Sequence, residues 1–324
     1  MCMKLLAIHA RGRCSSEITE PGMKAETGRH YFVIYNTSAG RLRYGAMERL
    51  SAFFQNRKLA ASFSTIDACD WSDVRAKLNR GREVRFVVAA GDGTLRLTLE
   101  RLWQRKLLGK VAVAFVPLGS ANIAALSLGL PRAMPKALEL AVSGTPRPVD
   151  LGLVDNRHVF FIAAIFGAVS DVTVRARREF KERFGIFAYL LCLDRLLLND
   201  YRGSVFRVSY DEDGKQQEVD SHSLIVCNQL NIGNLKPARH ITADDKHLDL
   251  ITLHNTRFWG LFTAAWEFFR GQRDSRVLRH RPIERTICKL TGFKGHVHLD
   301  GDECLDLGET IDFRVMPHAA RIVT

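Results

Sequence analysis

The chain has 324 residues, 47 of them basic and 35 acidic, for a formal net charge of +12. Hydrophobic residues make up 46% and charged residues 25%, an ordinary globular composition that excludes a disordered chain, a collagen and a coiled coil. The length suits two domains of about 150 residues each. No apolar run reaches the ~20 residues needed to span a bilayer; the best candidate, 186–198, is broken by Asp194 and Arg195. The surplus of positive charge points to an anionic partner, whether nucleic acid, nucleotide or membrane surface. No nucleic-acid-binding module accompanies it, so nucleic acid is the weakest of the three.

Seven cysteines are scattered without a CxxC pair. An odd count with no such pair argues against a disulfide framework or a zinc ribbon and for a reducing cytoplasm. Residues 1–28 read as a polar extension, with Met23 as an alternative start. The early apolar stretch, 5–8, is too short for a signal peptide.

From residue 31 the pattern alternates. A strand at 31–35 ends in Asn-Thr-Ser-Ala-Gly (36–40). A helix follows over 44–56, with Met47, Leu50, Phe53 and Phe54 at helical spacing. A strand is predicted at 61–66, a helix at 70–79 capped by Asp70, and strongly apolar strands at 83–90 and 111–116. Continuous apolar strands alternating with helices indicate a parallel sheet covered on both faces. Beyond 145 longer strands are predicted at 147–154, 158–166, 203–210, 219–227 and 248–253, with more after 285. Helical insertions interrupt them at 171–198 and 257–271. The expected architecture is α/β: an N-terminal α/β domain with a parallel sheet over 29–146. A β-rich, mostly antiparallel domain with helical insertions follows over 147–324, its C-terminal segment returning to the first domain.

Two glycine loops stand out. Ala-Gly-Asp-Gly-Thr (90–94) follows a buried strand and opens a helix, where glycines let backbone amides approach an anion closely. It is neither a Walker A loop nor a Rossmann fingerprint. Pro-Leu-Gly-Ser-Ala-Asn (117–122) repeats the arrangement before a helix at 121–128, which Ser120 is suited to cap. Loops at the carboxyl ends of neighbouring parallel strands, with 36–40 at a third, would converge on one crevice.

In order along the chain, these segments resemble the diacylglycerol kinase catalytic domain superfamily, which includes bacterial soluble lipid kinases, sphingosine kinases and ceramide kinases and shares an NAD kinase-like fold. Residues 36–40 are similar to its NPxxG segment, 90–94 to GGDGT and 117–122 to PxGTxN. Lys181, Gly185 and Tyr189 fit a helical insertion, 244–249 fits DDGxLD, 300–302 fits DGE, and 314–323 fits the closing RVxPxAxxV strand. The likeness runs from about Arg29 to Thr324. It implies an ATP-dependent kinase using Mg²⁺, in which the hydroxyl of a diacylglycerol, sphingoid or related lipid attacks the γ-phosphate in a cleft between two domains. By the same resemblance Asn36, Gly91, Gly93, Thr94, Gly119 and Ser120 would hold the nucleotide, with Thr65 a further candidate. Asp92 would orient Mg²⁺ or act as base, Asp302 would stand where the family has its general-base glutamate, with Glu303 beside it, and Asp245 would help hold a structural Mg²⁺. The resemblance leaves oligomeric state open, a homodimer included.

The chain departs from the family at Ala90, at Arg96-Leu97 where many members have Asn-Glu, at Ile123, and at Lys246 where DDGxLD has glycine. These departures leave a catalytically weak, lipid- or nucleotide-binding member as the alternative. Basic residues crowd 171–183, among Phe180, Phe184 and Phe187, and again 270–285. Interleaved basic and aromatic residues on helices suit peripheral docking to an anionic membrane surface from the cytoplasm, with a solvated charged face as the plain alternative. His296 and His298 would share one face of a strand. Trp259 and Trp266 read as core packing, or as the lining of an acyl-chain cleft.

Overall fold

The computed structural model describes residues 28–36, 45–167, 169–170, 205–212, 214–229, 243–254, 267, 274–304 and 307–324. The first half alternates β1 (Arg29–Tyr35), α1 (Ala46–Asn56), β2 (Ala61–Ser64), α2 (Trp71–Asn79), β3 (Glu83–Ala90), α3 (Asp92–Gln104) and β4 (Ala112–Pro117). Two helices follow, α4 (Ile123–Ser127) and α5 (Met134–Ser143). Local chemistry accounts for most of these boundaries. Ala46, Leu50 and Phe54 recur every four residues and form the buried face of α1. Asp70 caps α2 by accepting from the amides of Ser72 and Asp73. α5, not among the expected elements, has Ala133 at its N-cap with no capping side chain, but Pro135 in its first turn, buried Ala137, Leu138 and Ala141, and Gly144 at its end.

The second half is built of strands: β5 (Pro146–Val154), β6 (His158–Phe160), β7 (Ala163–Gly167), β8 (Phe206–Glu212), β9 (Lys215–Ser221), β10 (Ser223–Cys227) and β11 (Leu248–Leu253). Then come β12 (Leu278–Ile283), β13 (Arg285–Thr291), β14 (Val297–Leu299), β15 (Asp302–Glu303) and β16 (Thr310–Val323). Both expected helical insertions fall outside the described residues, apart from Glu267.

The parallel strands β2-β1-β3-β4 continue through β16, β13, β8 and β9 into one ten-stranded sheet, with β5 attached to β16 and β6 to β5. A second, six-stranded sheet has the order β12-β11-β10-β7-β14-β15. Fold class is as expected, a parallel sheet followed by antiparallel strands, but two expected strands are each cut in two. The sequence predicts one strand over 158–166. The structure ends β6 at Phe160 and starts β7 at Ala163 in the other sheet, because the amides at 161–163 turn to bind the Asp300 carboxylate at 2.7–2.9 Å. The predicted strand 219–227 breaks likewise at Ser221. Its hydroxyl lies 2.8 Å from the carbonyls of both Ser223 and Leu253, turning the chain from β9 into β10.

β16 ties the sheet together. It runs antiparallel to β5 and β13 and meets β4 in parallel through Ile322 and Val113. Pro317 falls in the register shift between Met316 and Ala320, where no ladder bond is required of it. One hydrophobic core runs from Phe32, Val88 and Leu99 through Leu151 to Ile251, so it is shared by both sheets. A second fills the space between the antiparallel strands, around Phe166, Phe313 and Leu250.

The apolar strand β3 hides an arginine. Arg85 is 1% exposed, and its Nη1 donates to the carbonyls of Ala141, Val142 and Gly144 at 2.7–3.3 Å, closing the C-terminus of α5. Arg29 adds a bond to Val142, and Glu83 balances both guanidinium groups. Arg85→Met should lower the unfolding free energy in urea by about 2–4 kcal/mol, because buried carbonyls lose their donor. A midpoint equal to that of the wild type would show that the helix end needs no such cap.

Candidate active site

Strand β1 is followed in the sheet by β2 on one side and β3 on the other. The strand order therefore reverses between β1 and β3, the switch point where open α/β sheets bind ligands beyond the strands' carboxyl ends. Register aligns those ends: Ile34 lies opposite Ser64, Tyr35 opposite Ala89, and Ala90 opposite Pro117. Asn36 and Thr65 thus sit at the same edge as the two glycine loops. Asn36 Nδ2 donates to Thr94 Oγ1 at 3.3 Å, bridging the switch point. Residues 37–40 lie outside the described residues.

The two glycine loops touch through their backbones. A Cβ on Gly119 would lie 2.6 Å from Gly91 Cα, and one on Gly91 would lie 3.3 Å from Gly119 Cα. Only glycine allows this approach. Asn122 locks the second loop from inside. Its Oδ1 accepts from Gly119 N at 2.9 Å and its Nδ2 donates to Gly119 O at 2.7 Å, while its own backbone adopts φ 51°. Ser120 is not the helix cap that the sequence suggests. Asn122 occupies that position, without a side-chain cap bond, and α4 starts at Ile123. The donors at its start are met from the neighbouring loop: Asp92 Oδ2 accepts from Ile123 N at 2.9 Å and Oδ1 from Ala124 N at 3.0 Å. Enclosure pushes the Asp92 carboxyl up from its ordinary value, and the neighbouring Asp302 charge adds to that, while the amides of 122–124 pull it down.

The opposite wall comes from the turn between β14 and β15. Asp300 and Gly301 both have positive φ, 53° and 90°, making a tight corner. The corner is pinned by Asp300, whose oxygens accept from Phe161, Ile162 and Ala163 and whose amide donates to Ala163 O at 2.9 Å. Part of Asp300 is open to solvent, but its carboxylate is enclosed, and burial pushes its pKa up to about 6 against those three donors and the Arg96 charge. Asp302 is then delivered onto the first turn of α3. A Cβ on Gly93 would lie 2.6 Å from Asp302 Oδ1, and Arg96 Nε is 3.7 Å from Oδ2. Glu303 points elsewhere, to His296 Nδ1 at 2.6 Å on the surface. His298, by contrast, is buried against Ser170, so the two histidines share no site.

The structure therefore brings together Asn36, Gly91, Asp92, Gly93, Thr94, Gly119 and Asp302, with Thr65 and Ser120 at the margins. Asp245 stands apart, in the turn leading to β11. Its Oδ1 accepts from His247 N at 3.0 Å. Lys246 beside it adopts φ 65° and donates its amide to Asp150 Oδ2 at 2.6 Å, which gives the glycine of DDGxLD a physical reason. Among the described residues no three His, Cys, Asp or Glu side chains gather as a metal-binding group. Asp300 and Asn122 were visible in the sequence only as motif letters. Their partners lie too far along the chain, or depend too much on backbone conformation, for spacing to reveal their roles.

Glycine loops gathered at the switch point of a parallel sheet define a class of α/β proteins that receive phosphorylated ligands. Residues 30–154 match the family model of the diacylglycerol kinase catalytic domain. The chain is 27% identical over 276 residues to a diacylglycerol kinase of Bacillus subtilis, covering 83% of this chain and 88% of that protein. It is 40% identical over 106 residues to a "Probable lipid kinase YegS-like" of Pseudomonas aeruginosa, covering 33% of this chain and 34% of that one. Among solved structures, a diacylglycerol kinase from Bacillus anthracis aligns with TM-score 0.59 at 15% identity, over 93% of this chain and 98% of that chain. An NAD kinase from Archaeoglobus fulgidus in complex with ATP aligns with TM-score 0.52 at 13% identity, over 91% and 93%. Residues 30–154 are thus similar to the diacylglycerol kinase catalytic domain, and the curated relatives carry the names diacylglycerol kinase and probable lipid kinase.

The two loop glycines should respond differently to substitution. Gly119→Ala meets backbone and should cost about 1–3 kcal/mol of stability. Gly93→Ala meets only the Asp302 side chain, so it should leave the melting temperature near wild type while displacing that carboxylate. Equal losses of stability would refute the contrast. Asp300 should also leave a pH signature. Its folded pKa, about 6, lies above the ordinary carboxylate value. Its stabilising contribution is therefore complete below about pH 4 and is lost as pH rises through about 6. The stability gap between wild type and Asp300→Asn should narrow over that interval by on the order of 3 kcal/mol. A gap independent of pH in urea titrations would show that Asp300 does not titrate there.

Proposed function

We propose that this chain is an ATP-dependent lipid kinase that phosphorylates a hydroxyl of a diacylglycerol, a sphingoid base or a related lipid. The observation that carries the reading is the seat of Asp302: a half-exposed carboxylate held over Gly93, at the open end of two touching glycine loops. The residues fit a triphosphate. Gly91 caps α3 without any side-chain bond, so the first-turn amides and the helix dipole face the crevice. The absence of a Cβ at Gly93 keeps that approach clear, and Thr94 and Asn36 supply polar groups beside it.

ATP, when bound, supplies the transferred phosphoryl group, and Mg²⁺ offsets its charge. Asp92 and Asp302, close enough for one charge to act on the other, are the groups that would hold that ion near the loops. Asp245 would hold a separate, structural one. Asp302 takes the proton from the lipid hydroxyl as its oxygen becomes nucleophilic. Asp92 acts chiefly by fixing α4 and the 119–122 loop, since both of its oxygens already accept amide bonds. Glu303 is engaged with His296 and plays no part in proton transfer here.

The lipid would be taken from an anionic membrane surface by a protein attached peripherally on the cytoplasmic side. No helix among the described residues is long and apolar enough to cross a membrane. The basic stretch at 171–183 falls outside the described residues. Among the described residues of the second stretch, Arg281 is engaged by Glu212 and Asp274 and Arg285 by Asp312, while Arg276 is exposed and Arg279 half-buried. A second reading, a lipid- or nucleotide-binding protein with weak chemistry, draws on Lys246 and Arg96.

Radiolabelled ATP offered with diacylglycerol, sphingosine and ceramide in mixed micelles separates the two. Phosphorylation of at least one lipid is expected, with Asp302→Asn slower by about 100-fold or more and unchanged in melting temperature. Nucleotide binding without turnover of any of the three would favour the second reading.

A further inference from the structure

Arg96 is the least expected residue of the site. It is 8% exposed, on the second turn of α3, and its Nη1 is fixed by Glu100 Oε2 at 3.2 Å. Glu100 is itself held. The same oxygen accepts from Val159 N at 3.0 Å and lies 3.6 Å from His158 Nδ1. The other edge of the guanidinium is not satisfied: Nε is buried without a hydrogen-bond partner. A buried cationic donor left in that state is costly; the Nε atoms of Arg29 and Arg85 are likewise unpartnered, and what distinguishes Arg96 is the carboxylate facing it. Nε faces Asp302, 3.7 Å from Oδ2, just beyond hydrogen-bond range. Gly93 and Arg96 are three residues apart on one helix face, so the Asp302 carboxylate rests across both. The Arg96 charge also reaches Asp300, which anchors the same turn.

We propose that Arg96 is a positioning residue for Asp302: Glu100 holds one arm of its guanidinium, and the Nε edge receives the carboxylate and keeps it aimed over Gly93 during the reaction. The proposal rests on the reading of Asp302 as proton acceptor. The Asp302 side chain remains 45% exposed, so one oxygen can face Arg96 while the other faces a substrate hydroxyl. A rigid, planar guanidinium suits this better than an ammonium, because its donors are fixed relative to one another. An aspartate also reaches one methylene less far than the glutamate of the resembled motif, so its placement has less slack and a fixed partner matters more.

A double-mutant cycle of Arg96→Gln and Asp302→Asn, assayed with ATP and the three-lipid panel, tests this. The expected result is a kcat at least ten-fold lower for Arg96→Gln, with KM for ATP and for lipid within about three-fold of wild type. The defect should disappear in the Asp302→Asn background, and Arg96→Lys should fall between Gln and wild type. Arg96→Gln at wild-type kcat, or defects that multiply with Asp302→Asn, would overturn the proposal. If Arg96→Gln does not fold, as judged by circular dichroism, Arg96→Lys carries the same cycle. The two levels of inference fail differently. Loss of activity in Asp302→Asn with a silent Arg96→Gln removes only the role of Arg96. Full activity in Asp302→Asn, or no turnover by the wild type, removes the proposed function and the positioning role with it.

Discussion

Three consecutive amides, those of Phe161, Ile162 and Ala163, end on the single carboxylate of Asp300. Much of the geometry follows from that bond set. It stops β6, starts β7 in the other sheet, and fixes the corner that presents Asp302 to α3. Buried backbone donors must find acceptors, and a chain leaving one sheet for another exposes several at once. A carboxylate is the one side chain that can take three of them, at the cost of its own desolvation. The raised pKa of Asp300 is the visible sign of that cost.

Other acidic residues serve the same end. Asp150 accepts from the amides of Lys246 and His318 at 2.6 Å, tying the turn before β11 to the bulge in β16. Asp155 accepts from Asp312 N at 2.8 Å, and Asp92 from the start of α4. Aspartates in this fold therefore hold irregular backbone, and Asp92 and Asp300 do so beside the candidate site. Substitutions at Asp92 and Asp300 thus call for stability to be measured together with activity.

The net positive charge divides in a similar way. Arg85 and Arg96 are buried, one closing a helix and one facing the site. Arg57, Arg207, Arg281 and Arg285 are paired with carboxylates near the surface. Exposed pairs of this kind add little stability, but they reduce the positive field that the described surface offers to an anion. These six arginines are thus engaged within the described residues.

The sequence by itself determined most elements of the parallel half and the sheet edge on which the glycine loops lie. Buried parallel strands are written as continuous apolar runs, and glycine loops after them are local signals, so β1, β3, β4 and both loops could be placed from residue order alone. It also supplied the motif letters Asp92 and Asp302. Only the tertiary structure decided how those letters are used. Phe161 and Asp300 are 139 positions apart, and nothing local to either says that they bond. The breaks at 161–162 and at Ser221 are likewise invisible to periodicity, because both halves of each run are apolar or alternate correctly and only the identity of the partner strand changes. The burial of Arg96 against Asp302 needs a helix from the first half to meet a turn from near the end of the chain. Periodicity reports which face of an element avoids water; which polar groups then meet is settled by long-range packing.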